Sequence, residues 1–132
     1  MMRESVKNGK EPLRVLIADD ADEIRNLLDL VLSEIEGLVI SGKAKDGAEA
    51  LRMVKELHPD VVVLDVSMPE KSGIEVLHEI RKDDRSTTII IFTIDPHLRQ
   101  YSLNAGANYF LSKNEIGDLV EIFQQLLERR RT

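Results

Sequence analysis

The sequence contains no cysteine, and it has no apolar run long enough to cross a membrane. The first absence excludes disulfides and thiol chemistry. No signal-peptide pattern opens the chain, so we expect a cytoplasmic protein that does not interact with membranes. The chain also lacks an excess of positive charge, because 24 acidic residues outnumber 18 lysines and arginines and the net charge is −6, and this disfavours direct binding of nucleic acid. The basic run at residues 129–131 is interpreted as the solvated end of a helix.

What is present suits one soluble domain of 132 residues, of which 42% are hydrophobic and 32% charged. We see no internal repeat and no low-complexity block. Residues 1–12 are polar and are predicted to form a flexible leader. Residues 13–132 are predicted to form the domain itself.

The most informative stretch is a run of four apolar residues at 61–64 that leads directly into Asp65. A short, β-branched run without polar alternation indicates a strand buried on both faces, at the centre of a parallel sheet. Asp65 would then lie where that strand leaves the sheet. In open α/β sheets this carboxyl edge is where ligands bind.

Strand-like and helix-like segments alternate along the rest of the chain. Strands are predicted at 13–18, 38–44, 61–64, 88–93 and 108–112, each followed by a helical pattern. The first helix is predicted to present Ile24, Leu27, Leu28, Val31 and Ile35 on its apolar face. The fourth, from Pro96 to about Asn104, has only Leu98, Tyr101 and Leu103 to bury. The fold class predicted is α/β, a flavodoxin-like doubly wound sheet of five parallel strands in the order 2-1-3-4-5, with five helices.

Three polar residues are predicted to cap helices. Asp46 and Ser72 each precede a glutamate by three residues, which is the spacing of a capping box. Asp95 precedes a proline, which is typical of the first helical position. Asp20 is also compatible with a capping role.

The ends of the predicted strands carry the chemistry. The first strand ends at Asp19 and Asp20, the third at Asp65, the fourth at Thr93 and the fifth at Lys113. Three carboxylates brought together repel, so either some are protonated or a cation lies among them, and oxygen ligands without His or Cys favour Mg²⁺. Lysine and hydroxyl groups suit phosphoryl oxygens, and an aspartate beside Mg²⁺ can act as a nucleophile. These residues therefore predict phosphoryl transfer onto a carboxylate.

From Leu13 to Arg129, the chain resembles the receiver domain of response regulators in two-component signalling, the CheY-like type. The resemblance rests on the Asp19-Asp20 pair, Asp65 to Pro69 with Gly73 beyond, Thr93, and the segment from Gly106 to Lys113.

The resemblance implies roles for individual residues in binding metal and accepting phosphate. Asp65 would be the phosphoacceptor. Mg²⁺ would be bound by Asp20, by Asp65 and by the backbone carbonyl of Ser67, with Asp19 acting through water.

Other residues would bind the phosphoryl group and respond to it. Lys113, Thr93 and the backbone of Ile94 and Ser67 would contact the phosphoryl oxygens. Thr93 and Phe110 would form the switch, with Phe110 following Thr93 inward. The surface of the fourth helix, fifth strand and fifth helix would then change.

The resemblance also implies partners. The phosphodonor would be a histidine kinase or a histidine phosphotransfer protein, and an unidentified downstream protein or output domain would read the switched surface. The same surface is a candidate for homodimerisation. The chain would not be an enzyme in its own right, but would assist its own phosphorylation and dephosphorylation.

Three residues depart from the family pattern. Ile94 stands where a small residue is frequent, and it predicts slower phosphotransfer or slower hydrolysis. Asn114 follows Lys113 where proline is frequent, which predicts a trans bond because a non-proline cis bond costs about 2.5–4 kcal/mol. Phe110 lacks a tyrosine hydroxyl and cannot donate a hydrogen bond from an outward position.

Other functions stay open on the sequence. The chain could be a phosphorylation-independent docking module, or a receiver taken from a longer DNA-binding regulator. A flavin- or nucleotide-binding protein is disfavoured, because Asp19-Asp20 replaces the glycine-rich phosphate loop after the first strand. A dehalogenase-like hydrolase is disfavoured because there is no room for its cap domain.

Overall fold

The computed structural model describes residues 11–68 and 70–131. The predicted leader lies outside the described residues except for its last two positions, and Pro69 and Thr132 lie outside them as well. No helix in the described ranges combines the length and the apolar character needed to cross a membrane.

The described chain alternates strands and helices as predicted. The elements are β1 (Leu13–Ala18), α1 (Asp22–Ser33), β2 (Leu38–Ala44), α2 (Gly47–Leu57), β3 (Val61–Leu64), α3 (Gly73–Asp83), β4 (Thr88–Thr93), a 3₁₀ turn (Pro96–Leu98), α4 (Arg99–Asn104), β5 (Tyr109–Ser112) and α5 (Ile116–Arg131).

The five strands form one parallel sheet in the order β2-β1-β3-β4-β5, which confirms the predicted flavodoxin-like fold. All four residues of β3 are buried. Successive side chains of a strand point to opposite faces. Val62 and Leu64 accordingly join one apolar cluster, and Val61 and Val63 join the other.

Each face of the sheet is covered by its own helices. Leu28 and Leu32 of α1 pack with Leu119 and Phe123 of α5 on one face. The apolar residues of α2, α3 and α4 pack on the other. Covering both faces explains why β3 reads as continuous apolar sequence.

All three predicted caps are confirmed. Asp46 accepts a hydrogen bond from Glu49 N at 2.8 Å. Ser72 and Glu75 form a complete capping box. Asp95 caps the 3₁₀ turn, where it accepts from His97 N at 2.9 Å.

The apolar face of α1 differs from the prediction. Leu27 is 44% exposed, whereas Leu32, which was not assigned to the face, is fully buried. The helix ends at Ser33, so Ile35 lies in the turn after it. The five apolar residues at 27–28 and 30–32 leave the helix two possible buried stripes, and only packing against the sheet and α5 selects one of them.

The fourth helix also differs. Its first three residues form a 3₁₀ turn and only six residues are α-helical. Tyr101, which was predicted to be buried, is 53% exposed, and Ser102 is buried in its place. The helix therefore contributes little apolar surface to the core.

Candidate functional site

Two acidic residues follow β1, and they differ in burial. Asp19 is 2% exposed, and its Oδ1 accepts from Ala21 N at 2.9 Å. Asp20 is exposed. It does not cap α1, because the N-cap residue is Ala21 and no side chain makes a capping bond there. The possible capping role of Asp20 is therefore wrong, and its carboxylate is available to a ligand.

Asp65 lies at the end of β3 in a tightly packed position. Its backbone N donates to Ala18 O at 3.0 Å, and its Oδ1 accepts from Ser67 N at 3.2 Å. The side chain is almost fully buried. A Cβ on Gly73 would lie 2.0 Å from Asp65 O. Only glycine lets the start of α3 approach this closely, and the approach fixes the Asp65 backbone.

The three carboxylates converge at the carboxyl edge of the sheet. One oxygen from each of Asp19, Asp20 and Asp65 lies within 4.8 Å of the other two. Lys113, which follows β5, places its Nζ 2.7 Å from Asp19 Oδ2 and 3.2 Å from Asp65 Oδ2. The sheet thus joins residues that are up to 94 positions apart in the chain.

Burial sets the electrostatics of this cluster. It raises the pKa of Asp19 above the usual value, with the Asp65 charge adding to the effect and Lys113 opposing it. Burial alone would lower the pKa of Lys113, but its hydrogen bond to Asp19 and the two carboxylate charges outweigh that and raise it. The ammonium is therefore held charged, and it faces more negative charge than it can balance.

The donor atoms fit Mg²⁺. The cluster offers carboxylate oxygens from two strand ends and contains neither histidine nor cysteine, which is the hard ligand set that this ion prefers. A bound cation would also relieve the repulsion among the carboxylates.

The family model described as "Response regulator receiver domain" matches residues 15–124. The chain belongs to this family.

Solved and curated relatives agree with that assignment. The chemotaxis protein CheY of Thermotoga maritima is 37% identical over 102 residues, which are 76% of this chain and 84% of that protein. The signal receiver domain of the response regulator NarL from Mycobacterium tuberculosis superposes with a TM-score of 0.80 at 30% identity, over 92% of this chain and 98% of that one. TrrA of Thermotoga maritima, solved in complex with Mg²⁺ and BeF, has a TM-score of 0.72 at 38% identity, over 82% of this chain and 96% of that one.

Several curated relatives are longer than the region they share with this receiver. The chain spans 22% of a protein-glutamate methylesterase of Treponema denticola, to which it is 41% identical over 83 residues, or 63% of its own length. It spans 53% and 57% of two response regulators of Pseudomonas.

The end of β4 adds a hydroxyl and an exposed branched side chain. Thr93 is fully buried, and its Oγ1 accepts a long 3.5 Å bond from Asp95 N. A bond of that length is weak and easily exchanged. Lys113 N donates to Thr93 O at 3.0 Å, which keeps β4 and β5 paired at the site. Ile94 is 74% exposed beside it.

Phe110 lies inside the receiver in this structure. It is 7% exposed and belongs to the apolar cluster that includes Leu64 and Ile91. The inward movement implied by the resemblance needs a second conformation with the ring outside, and it stays a prediction. The Lys113–Asn114 bond is trans, because the described residues include no cis peptide bond.

A second close approach was not anticipated from the sequence. A Cβ on Gly47 would lie 1.5 Å from Lys71 O, so the start of α2 packs directly on the loop that follows Asp65. The available signal was that Gly47 immediately follows the capping residue Asp46. Glycine is unfavourable in a helix, so its presence there indicates that packing requires it.

Proposed function

We propose that this receiver is a phosphoacceptor switch that takes a phosphoryl group from a histidine kinase or a histidine phosphotransfer protein onto Asp65, in the cytoplasm and with Mg²⁺. The observation that supports this most strongly is the burial of Asp65 between one ammonium at 3.2 Å and two other carboxylates within 4.8 Å. A group so arranged has too much negative charge around it for a purely structural role.

The phosphoryl transfer would be a substitution at phosphorus. An oxygen of the Asp65 carboxylate forms the new O–P bond as the N–P bond of the donor phosphohistidine breaks. The electron pair of that bond leaves with the imidazole nitrogen, which is protonated by solvent. Mg²⁺, when bound, would offset the charge of the carboxylates and of the incoming phosphoryl oxygens. Asp20, Asp65 and the Ser67 carbonyl would hold it directly, and Asp19 would hold it through water.

The remaining residues stabilise the phosphoryl group. The Lys113 ammonium exchanges its Asp65 partner for a phosphoryl oxygen while it stays close to Asp19. The Ser67 N–H, which now donates to Asp65, would turn to a second oxygen, and we expect the Ile94 N–H to have the same role. The Thr93 hydroxyl gives up its weak bond to Asp95 N to reach the group.

The switch would then spread from β4 to the surface formed by α4, β5 and α5. As Thr93 moves to the phosphoryl group, Phe110 is held in the inward position that it has in this structure, and α4 shifts with the loop before it. A downstream protein, an output domain or a second copy of the receiver reads the changed surface. The thin apolar face of α4, which buries only Ser102 completely, makes it an easily displaced element.

The test is to treat the receiver with Mg²⁺ and acetyl phosphate and to measure the intact mass and the modified peptide. We expect one phosphoryl group on Asp65 in the parent and none in Asp65→Asn. Asp60→Asn, which removes the same charge at the opposite edge of the sheet, should be modified like the parent. A parent that stays unmodified, and that gives no spectral response to beryllofluoride, would favour the phosphorylation-independent docking module.

A further inference from the structure

The guanidinium of Arg81, in the last turn of α3, bridges the end of α3 and the loop between α4 and β5. Nε donates to Gly106 O at 2.9 Å, Nη1 donates to Asp84 O at 3.0 Å, and Nη2 donates to Asn108 Oδ1 at 2.9 Å. These acceptors lie on the loop between α4 and β5 and at the end of α3. The planar fork of arginine can satisfy all three at once, which a lysine cannot do.

The bonds of Asn108 extend this bridge to the sheet. Its Oδ1 also accepts from Ile89 N at 2.8 Å, and its N donates to Ile89 O at 2.9 Å. The Arg81 stem packs against Gly106, where a Cβ would lie 2.9 Å from Arg81 Cγ and where φ is +114°. The C-terminal end of α4 and the entrance to β5 are therefore attached to both α3 and β4.

The N-terminal end of α4 is attached by longer bonds. Arg99 Nη1 donates to Phe110 O at 3.3 Å, and the Tyr101 hydroxyl lies 3.3 Å from His78 Nε2. The 3₁₀ turn that precedes it has no buried residue. In the middle of the helix, the Ser102 hydroxyl is buried without a hydrogen-bond partner, the one such side-chain atom among the described residues. An unsatisfied buried hydroxyl disfavours this position of the helix relative to one in which it is paired.

We propose that Arg81 is a positioning residue of the switch: it holds the C-terminal end of α4, so that α4 moves by pivoting about residues 104–108 while its N-terminal end travels. This rests on the proposed function, because the pivot matters only if α4 responds to Asp65. The end that travels is the end that joins Thr93, where the phosphoryl group acts. The end that stays fixed keeps β5 in register with β4.

Amide hydrogen exchange in the unliganded receiver tests the attachment. In Arg81→Met we expect exchange of the Ala107 and Asn108 amides to rise about tenfold, because their bonds to Ser102 O and Ile89 O lose their support. Arg81→Lys should behave like Arg81→Met, because lysine keeps the positive charge but cannot make the three hydrogen bonds of the planar guanidinium. Arg85→Met, which removes the same charge from an exposed loop residue, should match the parent. If Arg81→Met does not fold, Asn108→Ala removes one arm of the bridge and should give a smaller rise at Ala107.

Exchange in the presence of Mg²⁺ and beryllofluoride tests the pivot. The parent should change more at residues 96–101 than at 103–108, and Arg81→Met should change in both ranges. Unchanged Ala107 and Asn108 amides in Arg81→Met, a rise shared equally by β1 and β3, or an Arg81→Lys variant identical to the parent would each overturn the proposal. A parent that binds no beryllofluoride would refute the proposed function and the pivot together, whereas the unliganded exchange would still decide whether Arg81 holds the end of α4.

Discussion

The two edges of the sheet both carry clustered charge, but with opposite balances. At the carboxyl edge three carboxylates share one ammonium, and Asp19, Asp65 and Lys113 have side chains that are 2%, 4% and 15% exposed. At the amino edge one carboxylate, that of Asp60, is shared by two arginines. Arg14 Nε lies 3.9 Å and Arg130 Nη1 3.8 Å from Asp60 Oδ2, with all three side chains about a third exposed.

The same contrast appears in individual carboxyl groups. The pKa of Asp19 is raised by burial. The pKa of Asp84, in the loop that leads into β4 at the amino edge, is lowered to about 2 by its hydrogen bonds to Thr87 and Ser86. At the amino edge, charged groups that are partly solvated and fully hydrogen-bonded attach helices and loops to the sheet. An excess of buried charge of one sign is costly unless a ligand balances it, so the difference supports the proposal that the functional site lies at the carboxyl edge.

The largest difference between the edges is expected from removing one cation at each. Lys113→Met leaves two buried carboxylates without their ammonium and should lower the free energy of unfolding by about 2–3 kcal/mol, a loss limited because a carboxylate can take up a proton. Arg130→Met breaks exposed contacts and should cost less than about 1 kcal/mol. Urea unfolding without Mg²⁺ measures both. If both variants lost the same free energy of unfolding, the electrostatic distinction between the two edges of the sheet would be wrong.

Mg²⁺ should stabilise the receiver through the carboxyl edge alone. At about a hundred times its dissociation constant, the ion should add about 2.7 kcal/mol to the free energy of unfolding. Asp20→Asn should lose most of this gain, because it removes an exposed carboxylate that makes no capping bond. Asp60→Asn is the matched control and should keep the gain. A gain in Asp20→Asn as large as in the parent would contradict the assignment of the metal site.

The amino edge should show its own pH dependence through Asp84. Because its pKa is lowered from 3.8 to about 2 in the folded chain, the ionised group stabilises folding above about pH 4, and this contribution disappears as the pH falls through 2. Asp84→Asn should be less stable than the parent by no more than about 1 kcal/mol near neutral pH, since the group is partly solvated.

That difference should shrink to zero as unfolding is repeated at successively lower pH. Gln124→Ala, which removes no ionisable group, serves as the control, and its difference from the parent should be the same at every pH. If the free energies of unfolding of Asp84→Asn and the parent differ by the same amount at every pH, hydrogen-bond geometry and not ionisation accounts for the effect.

The smallest effect is expected from Ile94, at the rim of the carboxyl edge. Its exposed side chain should slow the approach of donor or water to Asp65, so Ile94→Ala should speed phosphorylation, dephosphorylation or both by about two- to tenfold. Leu30→Ala, at another exposed apolar residue, should change neither rate. If phosphorylation and dephosphorylation rates are identical in the parent and Ile94→Ala, the Ile94 side chain does not restrict access to Asp65.

Local signals were sufficient for much of the fold. The caps at Asp46, Ser72 and Asp95 depend on residues at most three positions away, and β3 depends on a continuous apolar run, so each could be predicted from a short window. The face of α1 could not, because Leu27 and Leu28 are equally apolar, and packing against the sheet and α5 selects between them. Tyr101 was predicted to be buried and is exposed for a similar reason: the short α4 is oriented by β5 and α3 and not by its own pattern.

The meeting of Asp19, Asp20, Asp65, Thr93 and Lys113 at one edge was already implied by the order of residue types along the chain, because parallel strands joined by helices all present their ends on the same side. The contacts within that edge were not. Three contacts depend on how distant segments pack: Lys113 lies closer to Asp19 than to Asp65, Gly73 contacts the Asp65 backbone, and Arg81 bonds α3 to the loop after α4. Such pairings are set by sheet register and helix packing across tens of residues, and no short stretch of sequence encodes them.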